Sequence, residues 1–329
     1  MLNETITLAD FTLTERPSLI NGISDSNLSL IAPLVAYWGY SLFFHIIDTY
    51  QLAEKYRIHP PEEVTKRNKA SRLVVLRDVL FQHVIQTLVG WVFSLFDKPE
   101  YTGDEVYQVY LIKSRFPILP TWICAFWYYY GWSLVRIVLA FGIVDTWQYM
   151  LHRLMHVNKA LYRRFHSRHH QLYVPYAYGA LFNDPVEGFL LDTLGTGIAA
   201  IVTCLNAREQ LVLFTFSTLK TVDDHCGYAL PFDPFQRLFP NNSIYHDIHH
   251  QQFGIKTNFS QPFFTFWDVL MDTRYKELDQ YREKQKAVTI QKYKEFLHDR
   301  EVAKAKKREA IYGNAAAPKN EKNEDSKDK

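Results

Sequence analysis

The sequence predicts an all-α integral membrane protein in which about four hydrophobic helices are capped by a cytosolic helical domain. Three observations predict it. Long apolar stretches recur through the first two thirds of the 329 residues. Aromatic side chains make up 16% of the chain, and such rings settle well at lipid headgroups. Nine of the thirteen histidines crowd into three clusters and one isolated position between residues 152 and 250. The net charge of +2 gives no electrostatic case for a nucleic-acid partner. Cys124, Cys204 and Cys226 form no close pair, so neither a disulfide framework nor a CxxC metal motif is expected, which fits a reducing compartment.

The first 27 residues carry Glu4, Asp10, Glu15 and Asp25 and lack a continuous apolar core, so no cleavable signal peptide is expected. Residues 28–50 then run without a full charge as far as Asp48, which suits a membrane helix of about 20 residues. Residues 73–96 form a second apolar stretch, with Arg77 and Asp78 near one end, and residues 121–151 are long enough to cross a bilayer and protrude. Residues 186–205 and 209–222 are weaker and are joined by the polar Asn206-Ala207-Arg208-Glu209, which predicts a hairpin that enters and returns. Mean hydropathy is only −0.20 because the charged C-terminal portion lowers it.

Lys55, Arg57, Lys66, Arg67, Lys69 and Arg72 lie between the first two stretches, whereas 97–120 mixes few basic with several acidic residues. The positive-inside rule therefore places 51–72 in the cytosol and 97–120 across the membrane, and all nine clustered histidines fall on the cytosolic side. Three regions result: a lumenal N-terminal segment (1–27), a membrane-embedded domain with the histidines (28–300) and a charged, mostly disordered cytosolic tail (301–329). Within the last part of the chain, 288–312 reads as a charged helix and 313–329 as disordered. Asn3-Glu4-Thr5 and Asn27-Leu28-Ser29 match the lumenal glycan-acceptor pattern; Asn241-Asn242-Ser243 matches it too but would be cytosolic.

The clusters are His152 and His156 (HxxxH), His166, His169 and His170 (HxxHH), the lone His225, and His246, His249 and His250 (HxxHH). At 13 histidines in 329 residues, HxxHH should occur by chance in roughly 0.02 places, yet it occurs twice. Histidines three and four residues apart share a helix face, so each cluster can aim two or three rings at one centre. Imidazole suits iron, zinc or copper, and nine rings exceed what one ion takes, so a dinuclear site is expected. HExxH is absent and no glutamate lies within the clusters, which disfavours zinc-dependent hydrolysis. An all-histidine site on a membrane protein points instead to oxygen activation by two irons. Asp145, Asp184, Asp223, Asp224 and Asp247 lie beside the clusters and are read as carboxylates that orient the rings through their distal N–H groups. His45, His59, His83 and His298 are read as surface or internally satisfied side chains. A non-catalytic membrane metal-binding protein is the competing reading from another class, disfavoured by the one-sided clustering.

The run of HxxxH at 152–156, HxxHH at 166–170, Asp223-Asp224-His225-Cys226-Gly227 and HxxHH at 246–250 resembles the membrane fatty acid hydroxylase and sterol desaturase superfamily, as do Asn258-Phe259 and Phe266-Trp267-Asp268. Within it, the segments VDTWQYMLHRLMH, LYVPYAYGALFNDPVEGFLLDTLGTGIA and YHDIHHQQFGIKTNF most closely resemble the fungal sphinganine 4-hydroxylases, over roughly residues 30–300. Fatty acid 2-hydroxylases of the superfamily carry HxxxH where this chain has Thr221 and His225, so the resemblance implies one ligand fewer, with Asn258 suggested as a water-mediated substitute.

The resemblance implies hydroxylation at carbon 4 of a sphingolipid long-chain base, sphinganine or dihydroceramide, at the endoplasmic reticulum membrane. The same scaffold serves sterol methyl oxidases and sterol desaturases, which remain the alternative. It also implies two Fe ions, O2, and electrons from NADPH or NADH through a separate cytochrome b5 and reductase, because neither a haem-binding HPGG segment nor GxGxxG occurs in the chain. Arg153, Lys159, Arg163, Arg164 and Arg168 form a basic stretch suited to such an acidic carrier or to anionic headgroups. Tyr128, Tyr129, Tyr130, Trp132 and Phe141 are the expected walls of an alkyl-chain slot beneath the histidines.

Overall fold

The computed structural model describes residues 7–312, so the expectations for Asn3 and for the tail from 313 onward lie outside the described residues. The elements that position the site are α1 (Asp25–Thr49), α2 (Pro61–Arg67), α3 (Arg72–Ser94), α4 (Glu105–Arg115), α5 (Thr121–Val157) and α6 (Lys159–Arg164). They are followed by α7 (Pro185–Val202), α8 (Ala207–Asp224), α9 (Pro234–Leu238), α10 (Ser243–His250), α11 (Phe266–Leu270) and α12 (Leu278–Tyr312). Among the described residues the only sheet is the antiparallel pairing of Thr14–Glu15 with Tyr101–Thr102. The helical membrane architecture expected from the sequence is the one found.

Four helices, α1, α3, α5 and α7, are long and apolar enough to cross a membrane. α1 and α3 start on serine caps, the Ser24 and Ser71 hydroxyls accepting the Asn27 and Val74 N–H groups. Asn27 therefore lies inside the first turn of α1 rather than in an open acceptor loop. The 37 residues of α5 extend about 55 Å at 1.5 Å per residue, well beyond a hydrocarbon core of about 30 Å. Its last turns, which carry His152 and His156, must project from the core. α7 and α8 have 18 residues each and form the expected hairpin, but α7 is long enough to span. α8, the more polar arm, returns packed along α1.

Val35, Leu42 and Phe43 of α1, Phe81, Leu88 and Trp91 of α3, and Leu134, Val138 and Leu139 of α5 all point outward. That much exposed apolar surface on neighbouring long helices is a lipid-facing surface. Inside, Ala140, Val144, Ala199 and Leu213 let α5, α7 and α8 approach closely, and a Cβ on Gly195 would meet Trp147 at 2.6 Å.

Ion pairs tie the N-terminal segment to one end of the bundle: Arg16 to Glu100 and Arg208, beside the α7–α8 turn, to Asp25. The histidine-bearing ends of α5 and α8 lie at the opposite end. The charged helix expected over 288–312 begins ten residues earlier, and α12 runs across the 300/301 boundary without a break. Its Thr289 hydroxyl donates to the Arg57 carbonyl at 2.7 Å, docking it on the loop after α1.

Candidate metal centre

His152 and His156 stand one turn apart on the protruding end of α5, with Nε2 atoms 3.2 Å apart. His166, His169 and His170 lie on a 3-10 turn, His166–Gln171; His225 caps the C-terminus of α8; His246, His249 and His250 lie on α10. All nine rings are buried. They sort into two groups: His152, His156, His166, His170 and His249, and then His169, His225, His246 and His250, with the nitrogens of each group within 4.8 Å of one another.

Each HxxHH therefore divides. Its first and last histidines stay together, while the middle one crosses to the other group, so His169 and His249 exchange places. On α10, His249 and His250 are successive residues about 100° apart around the helix, so they face different groups. The groups abut, the rings of His170 and His250 being 5.1 Å apart.

Within the groups, Nε2 atoms face each other at 3.1 Å (His152–His166), 3.0 Å (His166–His170), 3.2 Å (His156–His170), 3.0 Å (His225–His246) and 3.1 Å (His246–His250). Two nitrogens held about 2.1 Å from one ion at 90–110° lie about 3.0–3.4 Å apart, so the spacing fits a metal between them. The distal nitrogens fix the tautomers. His152, His225, His249 and His250 each donate Nδ1–H at 2.8 Å to a backbone carbonyl, of Phe259, Thr221, Thr257 and Leu172 respectively, which leaves Nε2 as a bare lone pair. His249 Nε2 is buried with no hydrogen-bond partner, an acceptor without a donor. Burial and the neighbouring imidazoles hold His166, His170, His246 and His250 well below the ordinary histidine pKa, and burial pushes His225 down to about 4. Neutral rings with converging lone pairs are what a transition-metal ion requires.

The carboxylates expected to orient the rings do something else. Asp145 accepts the Phe263 and Phe264 N–H groups at 3.0 and 2.6 Å; Asp184 caps α7 through Val186 N–H; Asp223 accepts from Gln236; and Asp224 pairs with Lys220 and Asn241. Asp247 accepts from His59 at 2.9 Å and from Tyr281 at 2.7 Å. Asn258 is not placed to complete a site: its amide donates to Tyr245 O and accepts from Tyr275 N–H, in the left-handed region at φ 55°. That bend turns the Thr257 and Phe259 carbonyls toward His249 and His152. The reason for the difference is local supply. Backbone carbonyls already satisfy most distal nitrogens, and the aspartates instead brace helix ends and loops around the site.

Two side chains have roles that the sequence reading did not assign. Glu187, on α7, makes a buried hydrogen bond to His166 Nδ1, and Asp268 braces the loop by accepting Phe259 and Ser260 N–H at 3.0 and 2.8 Å. An ionisable residue within the apolar stretch 186–205 was the signal for Glu187. His59 is indeed satisfied internally: burial opposes its charge, but Asp247 and Glu63 outweigh this and raise it to about 9.

A cavity of about 350 Å³ runs between α1, α3, α7 and α8, lined by apolar residues such as Leu30, Leu34, Phe93 and Phe214. Gln148, Asp192, Thr221 and Pro262 line both this cavity and a smaller one that reaches His166, His169, His225 and His246. The slot expected beneath the histidines is therefore present, with different walls. Tyr129, Tyr130 and Trp132 face outward, Tyr128 does not line it, and Phe141 packs against Phe216 and Phe263. Of the basic stretch, Arg168 is committed to Asp78 and Arg164 to Asp184.

The fatty acid hydroxylase family profile matches residues 137–273, the segment that holds every clustered histidine. The chain belongs to the fatty acid hydroxylase family. It is 62% identical over 296 residues to the sphingolipid C4-hydroxylase of Saccharomyces cerevisiae, spanning 90% of this chain and 85% of the relative. It is 42% identical to a sphinganine C4-monooxygenase of Arabidopsis thaliana over 76% of this chain and 88% of the relative. It is also 40% identical to a very-long-chain aldehyde decarbonylase of Oryza sativa subsp. indica over 76% of this chain and 89% of the relative. No solved structure matches the chain. The chain is thus a multi-pass membrane enzyme, and two histidine groups able to bind metal, in a hydroxylase family, support an iron-dependent oxygenase.

Proposed function

We propose that this enzyme hydroxylates carbon 4 of a sphingolipid long-chain base, sphinganine or dihydroceramide, using O2 and two irons held by the nine histidines. The observation that carries the reading is the wall of Gln148, Asp192, Thr221 and Pro262 that the lipid-sized apolar cavity shares with the chamber lined by histidines of both groups. The names of the fungal and plant hydroxylase relatives supply the substrate class and the carbon.

Bound iron would supply the oxygen activation that an unactivated C–H bond demands, since no acid or base can open it. The chain's own contribution is placement. His152, His156, His166, His170 and His249 would hold one ion, and His169, His225, His246 and His250 the other. The carbonyls of Phe259, Thr257, Thr221 and Leu172 keep the proton on the distal nitrogen of their rings. Leu30, Leu34, Phe93 and Phe214 would keep the alkyl chain extended and water out, so that one carbon rests at the histidines.

The clusters would face the cytosol at the endoplasmic reticulum, where a cytochrome b5-type carrier fed by NADPH or NADH would deliver electrons. Arg163 and Lys159 are exposed and form no ion pair among the described residues, which supports a docking role for that face. The test is expression in cells that lack 4-hydroxylated bases, followed by mass spectrometry of the long-chain bases. Phytosphingosine should appear, and should vanish with His152→Ala. An aldehyde-derived hydrocarbon or an oxidised sterol in its place would overturn the assignment.

A further inference from the structure

Asp192 lies inside the π-helical turn Phe189–Thr193 of α7, where an extra residue per turn re-aims a side chain out of helical register. It lines both the apolar cavity and the small chamber at the histidines. Among the described residues its carboxylate oxygens have two side-chain partners, the amides of Gln148 and Asn183, each at a long 3.4 Å. Among the described residues no arginine, lysine or histidine forms an ion pair with it. Gln148 stands one turn before His152, so the carboxylate sits about a helical turn from the first histidine group. A carboxylate placed in the wall of an apolar cavity without a cation is costly unless a ligand provides one.

We propose that Asp192 is the anchor for the protonated amine of a free long-chain base, and so the residue that favours the base over its N-acylated form. This rests on the proposed function. Such a base carries its ammonium on carbon 2, two bonds from carbon 4. With carbon 4 at the histidines, the ammonium falls in the polar neck formed by Gln148, Asn183 and Asp192, and the alkyl chain runs away along Leu34 and Phe93. A ligand ammonium would accept the geometry that the two amides hold open, and the carboxylate would offset its repulsion from nearby metal cations. N-acylation replaces the ammonium by a neutral amide, which removes the charge that Asp192 recognises.

The test uses full-length enzyme in membranes, comparing sphinganine with a short N-acyl sphinganine. Asp192→Asn, which keeps the shape and removes the charge, should raise KM for sphinganine about 10- to 100-fold. The rise in KM for the N-acyl compound should be at least about tenfold smaller than that for sphinganine, and Asp192→Glu should restore part of the preference. Wild-type enzyme provides a second measurement that needs no variant: displacement of labelled sphinganine by an analogue with a hydroxyl in place of the amine should be at least about tenfold weaker than by sphinganine itself. Equal losses for both substrates in Asp192→Asn, or equal displacement by the hydroxyl analogue, would overturn the proposal. If wild-type enzyme makes no 4-hydroxylated product, the proposed function fails, and the displacement measurement still decides the role of Asp192.

Discussion

Glu187 offers the sharpest test of how the chain holds its metal. Its carboxylate and His166 are each about 1% exposed, and its Oε1 accepts from His166 Nδ1. A buried hydrogen bond to a charged group contributes about 1.5–3 kcal/mol, which is about a 10- to 150-fold effect on binding. It fixes the His166 tautomer and makes its Nε2 more basic, as carboxylates do behind metal-bound histidines, where their loss costs about 10–100-fold in metal affinity. Glu187→Ala should therefore release iron from the first histidine group at a chelator activity about 10- to 100-fold lower than wild type, and Glu187→Gln, which still accepts a neutral hydrogen bond, at an intermediate value. The assay is iron per chain in purified protein equilibrated against graded chelator, with helix content followed by circular dichroism. Because Glu187 acts through one ring, adding Glu187→Ala to His166→Ala should cause no further loss. Wild-type iron retention in Glu187→Ala, or a full additional loss in the double variant, would refute the reasoning.

Three other outcomes are expected. His169→Ala and His249→Ala should each lower bound iron from about two ions per chain toward about one and abolish hydroxylation while the protein stays in membranes, read by metal analysis and product assay. Gly197 lines the large cavity, and a Cβ there meets nothing within 4 Å, so Gly197→Phe should raise KM for the long-chain base at least about tenfold with little change in thermal stability. His59, raised from 6.5 to about 9 beside Asp247, Glu63, Gln251 and Tyr281, contributes stability that is fully present below pH 6.5 and lost as pH rises toward 9. That amounts to roughly 3 kcal/mol, and thermal unfolding in detergent should show a fall over this range that His59→Gln flattens.

The spans and the nine histidines were legible because each is a local signal. Uncharged length identifies a membrane helix, and i, i+4 spacing identifies ligand pairs whatever the rest of the chain does. The crossing of His169 and His249 between groups was not legible, because it depends on how α10 meets the 166–171 turn, which no short window records. Neighbouring aspartates misled for a related reason. Asp224 is next to His225 in sequence, but the C-terminal turn of α8 points it toward Lys220 instead. Glu187 reaches His166 across 21 residues, and only its position in an apolar stretch hinted at a role. The aromatic run 128–132 failed as a cavity wall because rings on an outer helix have two places to go, and the bilayer claimed these.

The traded middle histidines also determine how the centre comes apart. The 166–171 turn and α10 each place rings in both groups, so peeling either segment away strips nitrogens from both at once. Displacing the frame of one half thus disturbs the other. Loosening either segment by heat or denaturant should therefore weaken both halves together, so that damage to one frame is felt by the ion in the other.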